Sequence, residues 1–418
     1  MRPFTVLATT TALLLAVTPA LAKTLAVPAG PNAQERIQTA LIDAKPGDTV
    51  ALGAGRFELT DGLSLDVAGV TVTGAGVGKT ILAFDGQKGE AEGLLVTASR
   101  DVIRGFTMQN AKGNGVKSKG VDQITMRDLL VEWTGGPKAT NGSYGVYPVA
   151  STHVLIDHVT VRGASDAGIY VGQSQNVIVQ FSRAEFNVAG IEIENCYNAD
   201  VHDNVATHNA GGILVFDLPG LPQMGGHSTR VSHNQVVDND TPNFAPKGNT
   251  VAGVPTGTGV MIMANRDVHV FDNHIDGNAS AGVMLVAYLQ TFTDVTYNPL
   301  PRDIAVHGNT FGHNGFAPVW PGGAEVAKAM GGSIPPVMWD GIVTYTHPGG
   351  AAETVAVKLS ITDGPVANLG LKVQGAPASG ARPAVTATLD MGPIPLPPPV
   401  SLPAAQGQLI LDEVSTRR

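Results

Sequence analysis

One cysteine, Cys196, stands in a chain of 418 residues. No disulfide can form within the chain, and a cysteine-rich zinc or iron–sulfur centre is excluded. Aromatic residues make up 5% and charged residues 15%. Basic residues are in deficit, 26 against 35 acidic ones, for a net charge of −9. With no basic surplus to neutralise phosphates, a nucleic-acid partner is not expected. Beyond the N-terminus no apolar run is long enough to cross a bilayer. What is abundant is glycine, 51 residues, beside a hydrophobic content of 43%. That content is too high for a disordered chain. So much glycine speaks against a helical bundle and for many turns and close backbone contacts.

Arg2 precedes an apolar run, Leu7 to Val17, and small residues follow at Ala20 and Ala22. This is the pattern of a cleaved signal peptide over residues 1–22, with a mature start near Lys23. The run is shorter than the ~18 residues a span needs. The expectation is an exported protein, periplasmic or secreted.

The strongest signal is a repeat. Glycines lead short alternating segments at Gly93, Gly115, Gly145, Gly168, Gly190, Gly212, Gly259 and Gly282. The commonest step is 22 or 23 residues, with longer steps of 30 and 47. A second segment follows nine and eleven residues after the glycine, as in Ile124/Met126, Val154/Ile156 and Val177/Val179. A third feature, V-x-x-N, recurs at Asn204, Asn234, Asn273 and Asn309. Period-2 segments punctuated by Gly and Asn are strands and turns. One such coil cannot bury its own apolar face, so coils must stack. The period fits an all-β, right-handed parallel β-helix, a solenoid of ~22-residue coils with three strands each. The four asparagines are expected to form a buried ladder, each amide bonding the next coil.

Open solenoid ends need covers. Residues 32–44 read as a short amphipathic helix capped by Asn32, with Ile37, Leu41 and Ile42 apolar. Past Gly315 the repeat fades. Residues 340–375 suggest antiparallel strands, and the Pro-rich stretch 392–404 should run extended along the helix. The expected organisation is signal peptide 1–22, N-terminal cap 23–60, β-helix 61–316, and C-terminal cap and tail 317–418.

Nearly all of the chain after residue 22 resembles the pectin-lyase-like right-handed β-helix superfamily. The opening segment Asp66–Leu82 is similar to first coils of that group. Gly142–Pro148, Ser165–Tyr170, Gly190–Asn195 and Gly212–Pro222 resemble, more closely, a family of exported bacterial parallel β-helix repeat proteins described mainly by their fold. The superfamily includes lyases, hydrolases, epimerases, binding proteins and metal-handling accessory proteins. The clustered Asp residues of polygalacturonases and the Asp-Pro-His-Glu signature of alginate epimerases are absent, so no catalytic residue carries over.

Every large insertion borders the Gly-led strand, which marks that strand as the floor of a groove. Positions one and three after each glycine should point inward, and positions two and four outward. The outward residues include Tyr147, Tyr170, Glu192, Glu194, Met261, Met263 and Met284. Glu192 and Glu194 share one face, roughly 6.5–7 Å apart at Cα. With Asp217 they are the candidate acid–base residues for a glycosidic bond. Tyr147, Asp166, Tyr170, Gln173 and Asn195 are the candidate substrate contacts, and a polysaccharide is the expected partner. The same Glu192, Glu194, Asp217 and Asn195 oxygens would suit Ca²⁺. The methionine group would suit Cu(I) in an accessory role. The competing class is a non-enzymatic glycan-binding, envelope-structural or copper-accessory module.

Overall fold

The computed structural model describes residues 22–89, 92–375 and 381–408. The expected leader lies outside the described residues, apart from Ala22. Among the described residues no helix is long and apolar enough to cross a membrane.

Strands stack in parallel, coil upon coil. The strands that follow the repeat glycines build one 12-stranded sheet, from Leu63–Leu65 at one end to Ala384–Thr386 at the other. The second and third strands of each coil build the remaining walls. One coil reads Ala167–Gly172, Gln175–Gln180 and Arg183–Glu185. Each strand pairs in register with its counterpart in the next coil, Ile169 with Ile191, Val177 with Ala199 and Ala184 with Ala206. Inward residues such as Ile191, Ile193, Ile213 and Val215 form the fully buried core.

The glycine column has a steric cause. A Cβ on Gly190 would lie 2.6 Å from the carbonyl oxygen of Gly212, and one on Gly212 2.6 Å from that of Gly259. Stacked coils, about 4.8 Å apart, leave no room there for a side chain. The asparagine ladder runs from Asn204 through Asn234 and Asn273 to Asn309, with amide-to-amide bonds of 2.9–3.0 Å. Asp363 accepts from Asn309 and ends it. A second ladder, five residues further along each coil, links Asn187, Asn209, Asn239, Asn278 and Asn314.

The coil stack passes both ends of the 61–316 span. Thr24–Val27 pairs in parallel with Thr49–Leu52, and that strand with Thr71–Thr73. Val337–Trp339 and Val366–Asn368 extend the Gly-led sheet at the other end. Irregular spacing hid these coils. The helix at the N-terminal end is Ala33–Asp43, with Ile37 and Leu41 buried. Ile42 is exposed. Asn32 sits in the left-handed region (φ 55°) and makes no side-chain cap. Of the strands expected over 340–375, Ile342–Thr346 and Ala352–Thr354 are antiparallel to each other, while Leu359–Ile361 joins the coil stack.

Candidate functional site

The outward columns of the Gly-led sheet are in register. Tyr170 pairs with Glu192, Glu192 with Leu214, Leu214 with Met261, and Met261 with Met284. Two residues further along the strand, in the next outward column, Gly172 pairs with Glu194 and Glu194 with Phe216. Residues some two dozen positions apart are therefore neighbours on one face.

That face is not an open groove. Glu192 is 1% exposed, Glu194 8% and Tyr170 4%. Two segments outside the repeat lie over it. One is the stretch 242–257, which contributes Phe244, Val251 and Val254. The other runs from Trp320 to Ile334 and includes the helix Gly323–Ala329. The outward columns are apolar enough (Leu214, Phe216, Met261, Met284, Met338) to hold this cover by burial,.

At the end nearer the N-terminus the cover meets polar groups. The ring of Tyr170 lies over Gly172, where any Cβ would collide with it, and its hydroxyl donates to Glu194 Oε1 at 2.7 Å. Tyr144, Tyr147 and Tyr170 pack together with centroids 4.4–4.9 Å apart. Tyr144 and Tyr147 are half-buried and form the open edge of the cluster. Lys117 stands over the Tyr147 ring at 4.9 Å and pairs with Glu92 at 2.8 Å. Asp166 accepts from Tyr144 and, at 2.8 Å, from the Asn249 amide of the cover.

Burial pushes Asp166, Glu192 and Glu194 upward. Glu194 reaches about 7 through desolvation and the nearby Asp166 and Asp217 charges, although the Tyr170 bond opposes the rise. Asp166 reaches about 6, chiefly by desolvation. Glu192 is raised well above the ordinary glutamate range by desolvation and by Asp166 and Glu194. Its Oε2 has no hydrogen-bond partner among the described residues. Three carboxyls that hinder one another's ionisation thus share one buried face.

The other candidates hold turns. Asp217 Oδ1 accepts from the Gly226 backbone at 2.9 Å, so its carboxyl fastens the 218–226 loop, and its pKa is raised to about 6 by desolvation. Asn195 accepts from Leu218 N–H at 2.8 Å and donates to the Leu218 and Gln223 carbonyls. Gln173 and Asn195 both sit in the left-handed turn region. The expected Ca²⁺ set is not assembled, because Asn195 and Asp217 spend their oxygens on backbone. Among the described residues no three His, Cys, Asp or Glu side chains are arranged to hold a metal ion. Cys196 is buried in the wall, with its thiol pushed up to about 12 by desolvation.

Toward the C-terminal coils the same face bounds a cavity of about 640 Å³. Met261, Met263, Met284 and Met338 line it together with Phe216, Trp320 and Tyr288. Among the described residues no histidine lines the cavity, so thioethers are the soft donors it offers.

A family model described as "Right handed beta helix region" matches residues 92–244. The chain is a right-handed parallel β-helix. This β-helix is similar in fold to a polygalacturonase from Erwinia carotovora ssp. carotovora, at 14% identity over 71% of this chain and 87% of that one, TM-score 0.54. It is similar also to a GH136 lacto-N-biosidase from Eubacterium ramulus, at 13% identity over 69% of this chain and 64% of that one, TM-score 0.52. No curated protein matches the β-helix in sequence.

Proposed function

We propose that the protein is an exported, glycan-active β-helix in which Asp166, Glu192 and Glu194 supply acid–base chemistry beside a tyrosine edge. One observation carries this reading: three mutually hindering carboxyls on one face, next to the half-buried Tyr147 and Tyr144. Glycosidic cleavage needs one protonated and one ionised carboxyl facing the same bond. Glu194, held by Tyr170, is the proton donor to the leaving oxygen. Asp166, the group of lower pKa, accepts a proton from the attacking water. Glu192 stays neutral and donates a hydrogen bond. A sugar against Tyr147 lies two coils, about 10 Å, from the Glu194 strand. Release of Asn249 from Asp166 opens the remaining path. That two structures of like fold are carbohydrate-active by name supports the class of substrate.

The test is a panel of neutral and uronic-acid polysaccharides, read by reducing-end release across pH. The expected result is turnover of at least one polymer, with a bell-shaped profile whose limbs fall near the Asp166 and Glu194 values of about 6 and about 7,. Glu194→Gln and Asp166→Asn should each lower turnover by a factor on the order of 10² or more. Unchanged turnover in both variants removes the catalytic assignment. The burial of Glu192 and Glu194 beneath the cover favours a second reading, a glycan-binding module without turnover. Saturable glycan binding at the Tyr147 edge with no product from any polymer establishes that reading instead.

A further inference from the structure

The cavity over the C-terminal coils is separate chemistry from the carboxylate cluster. Its floor is a run of thioethers, with Met261, Met284 and Met338 in register on three successive coils and Met263 beside them. Its roof is Trp320 and the segment 250–255, and a further wall comes from residues 287–290. Enclosure by separate segments, at about 640 Å³, suits a small molecule rather than a polymer or a protein chain,. The charge balance narrows the ligand further. Among the described residues no Lys, Arg or His lines the cavity. The one carboxylate, Asp340, has both oxygens occupied, by Ala287 N–H at 2.6 Å and Ile342 N–H at 2.9 Å. The lining offers no cation to an anionic ligand, and its single carboxyl is already bonded to two backbone N–H groups, so a charged ligand would be poorly matched there, and an unpaired charge in such a site is costly,. Methionine side chains adapt to irregular apolar shapes.

We propose that this cavity is a binding site for a neutral, hydrocarbon-rich small molecule. The mouth bears Leu289, which is 59% exposed. A large exposed leucine at the rim of an apolar cavity is in place to meet an incoming hydrocarbon. The proposal does not depend on glycan chemistry.

The experiment titrates the full chain with the neutral dye N-phenyl-1-naphthylamine. Saturable binding of one equivalent with blue-shifted emission is expected, with energy transfer from tryptophan that falls in Trp320→Phe. Dodecanol should displace the dye at least tenfold more effectively than dodecanoate at pH 8. Maltohexaose should not displace it. Met284→Trp, which fills the floor, should weaken binding tenfold or more with the thermal midpoint kept. Val254→Trp fills the cavity from the roof and serves if the first variant fails to fold. Absence of saturable binding, displacement by the oligosaccharide, or full dye affinity in a folded, filled variant each overturns the proposal.

Discussion

Glu194 is pushed up to about 7 from an ordinary 4.5, and Asp166 to about 6 from 3.8, both chiefly by desolvation. The folded state therefore holds protons that the unfolded chain has already released. Groups of this kind support the fold fully below their unfolded values and lose that support as pH rises through the folded ones. Glu92 and Glu185, held low by the Lys117 and Arg162 hydrogen bonds against desolvation, act in the opposite sense and matter on the acid side. Thermal midpoints measured from pH 4 to 8 separate the two. The Glu194→Gln variant, neutral throughout, should lose less stability between pH 5 and pH 8 than the parent. Parallel curves for the two proteins would show that Glu194 ionises freely in the folded state. The pairing of Glu192 with Glu194 was legible because period-2 alternation fixes which way a strand residue points. Their burial was not. Asn249 reaches Asp166 from 83 positions away, on a segment with no repeat to place it.

At the scale of the element, glycine and asparagine set the coil spacing. Gly212→Ala places a methyl 2.6 Å from the Gly259 carbonyl and 2.6 Å from Val236 Cγ1. Neither neighbour is a flexible chain end, so the cost should be about 1–3 kcal/mol. Gly253→Ala meets nothing within 4 Å and should change stability by less than about 0.5 kcal/mol. Urea unfolding of both variants tests the contrast, and equal midpoints would refute it. Asn234 accepts from the backbone and amide of Asn204 and donates to Val201 and Asn273. Asn234→Ala strands several buried groups at once. Each unpaired group costs about 1–3 kcal/mol, so the variant should lose at least about 3 kcal/mol. A loss under 1 kcal/mol would mean that water repairs the gap. The first ladder was legible from V-x-x-N. The second could have been read from the same data, since Asn209, Asn239, Asn278 and Asn314 each follow a first-ladder Asn by five positions. Alternation alone hides it, because a turn residue belongs to neither face of a strand.

Across the whole molecule the tail ties distant coils together. The outward column of the second wall runs Thr125, Leu155, Ile178, Asp200, Arg230 and His269, coil by coil. Five coil steps of about 4.8 Å make this column roughly 24 Å long. Leu155 is fully buried and Ile178 nearly so, although both point away from the core. The tail explains this, because it crosses the column from one end to the other. Pro395 O lies 3.1 Å from His269 Nε2, Val400 N–H donates to Asp200 at 2.9 Å, and the Gln406 amide donates to the Ile124 and His153 carbonyls. A stack of coils is held mainly by nearest-neighbour contacts and can open locally at any weak interface. A strap bonded to coils five steps apart makes such opening break several contacts at once. A chain ending at Met391 exposes Leu155 and Ile178, at about 1.5–3 kcal/mol for each side chain if fully exposed, and leaves Asp200 without its backbone donor. The truncated protein should therefore melt several degrees lower, and amide exchange should quicken first at 155–178 rather than at the ends of the stack. A peptide covering 392–408, added in excess, should restore part of the midpoint. If the truncated chain melts within 1 °C of the parent with the same exchange pattern, the tail only rests on the coils and does not bind them.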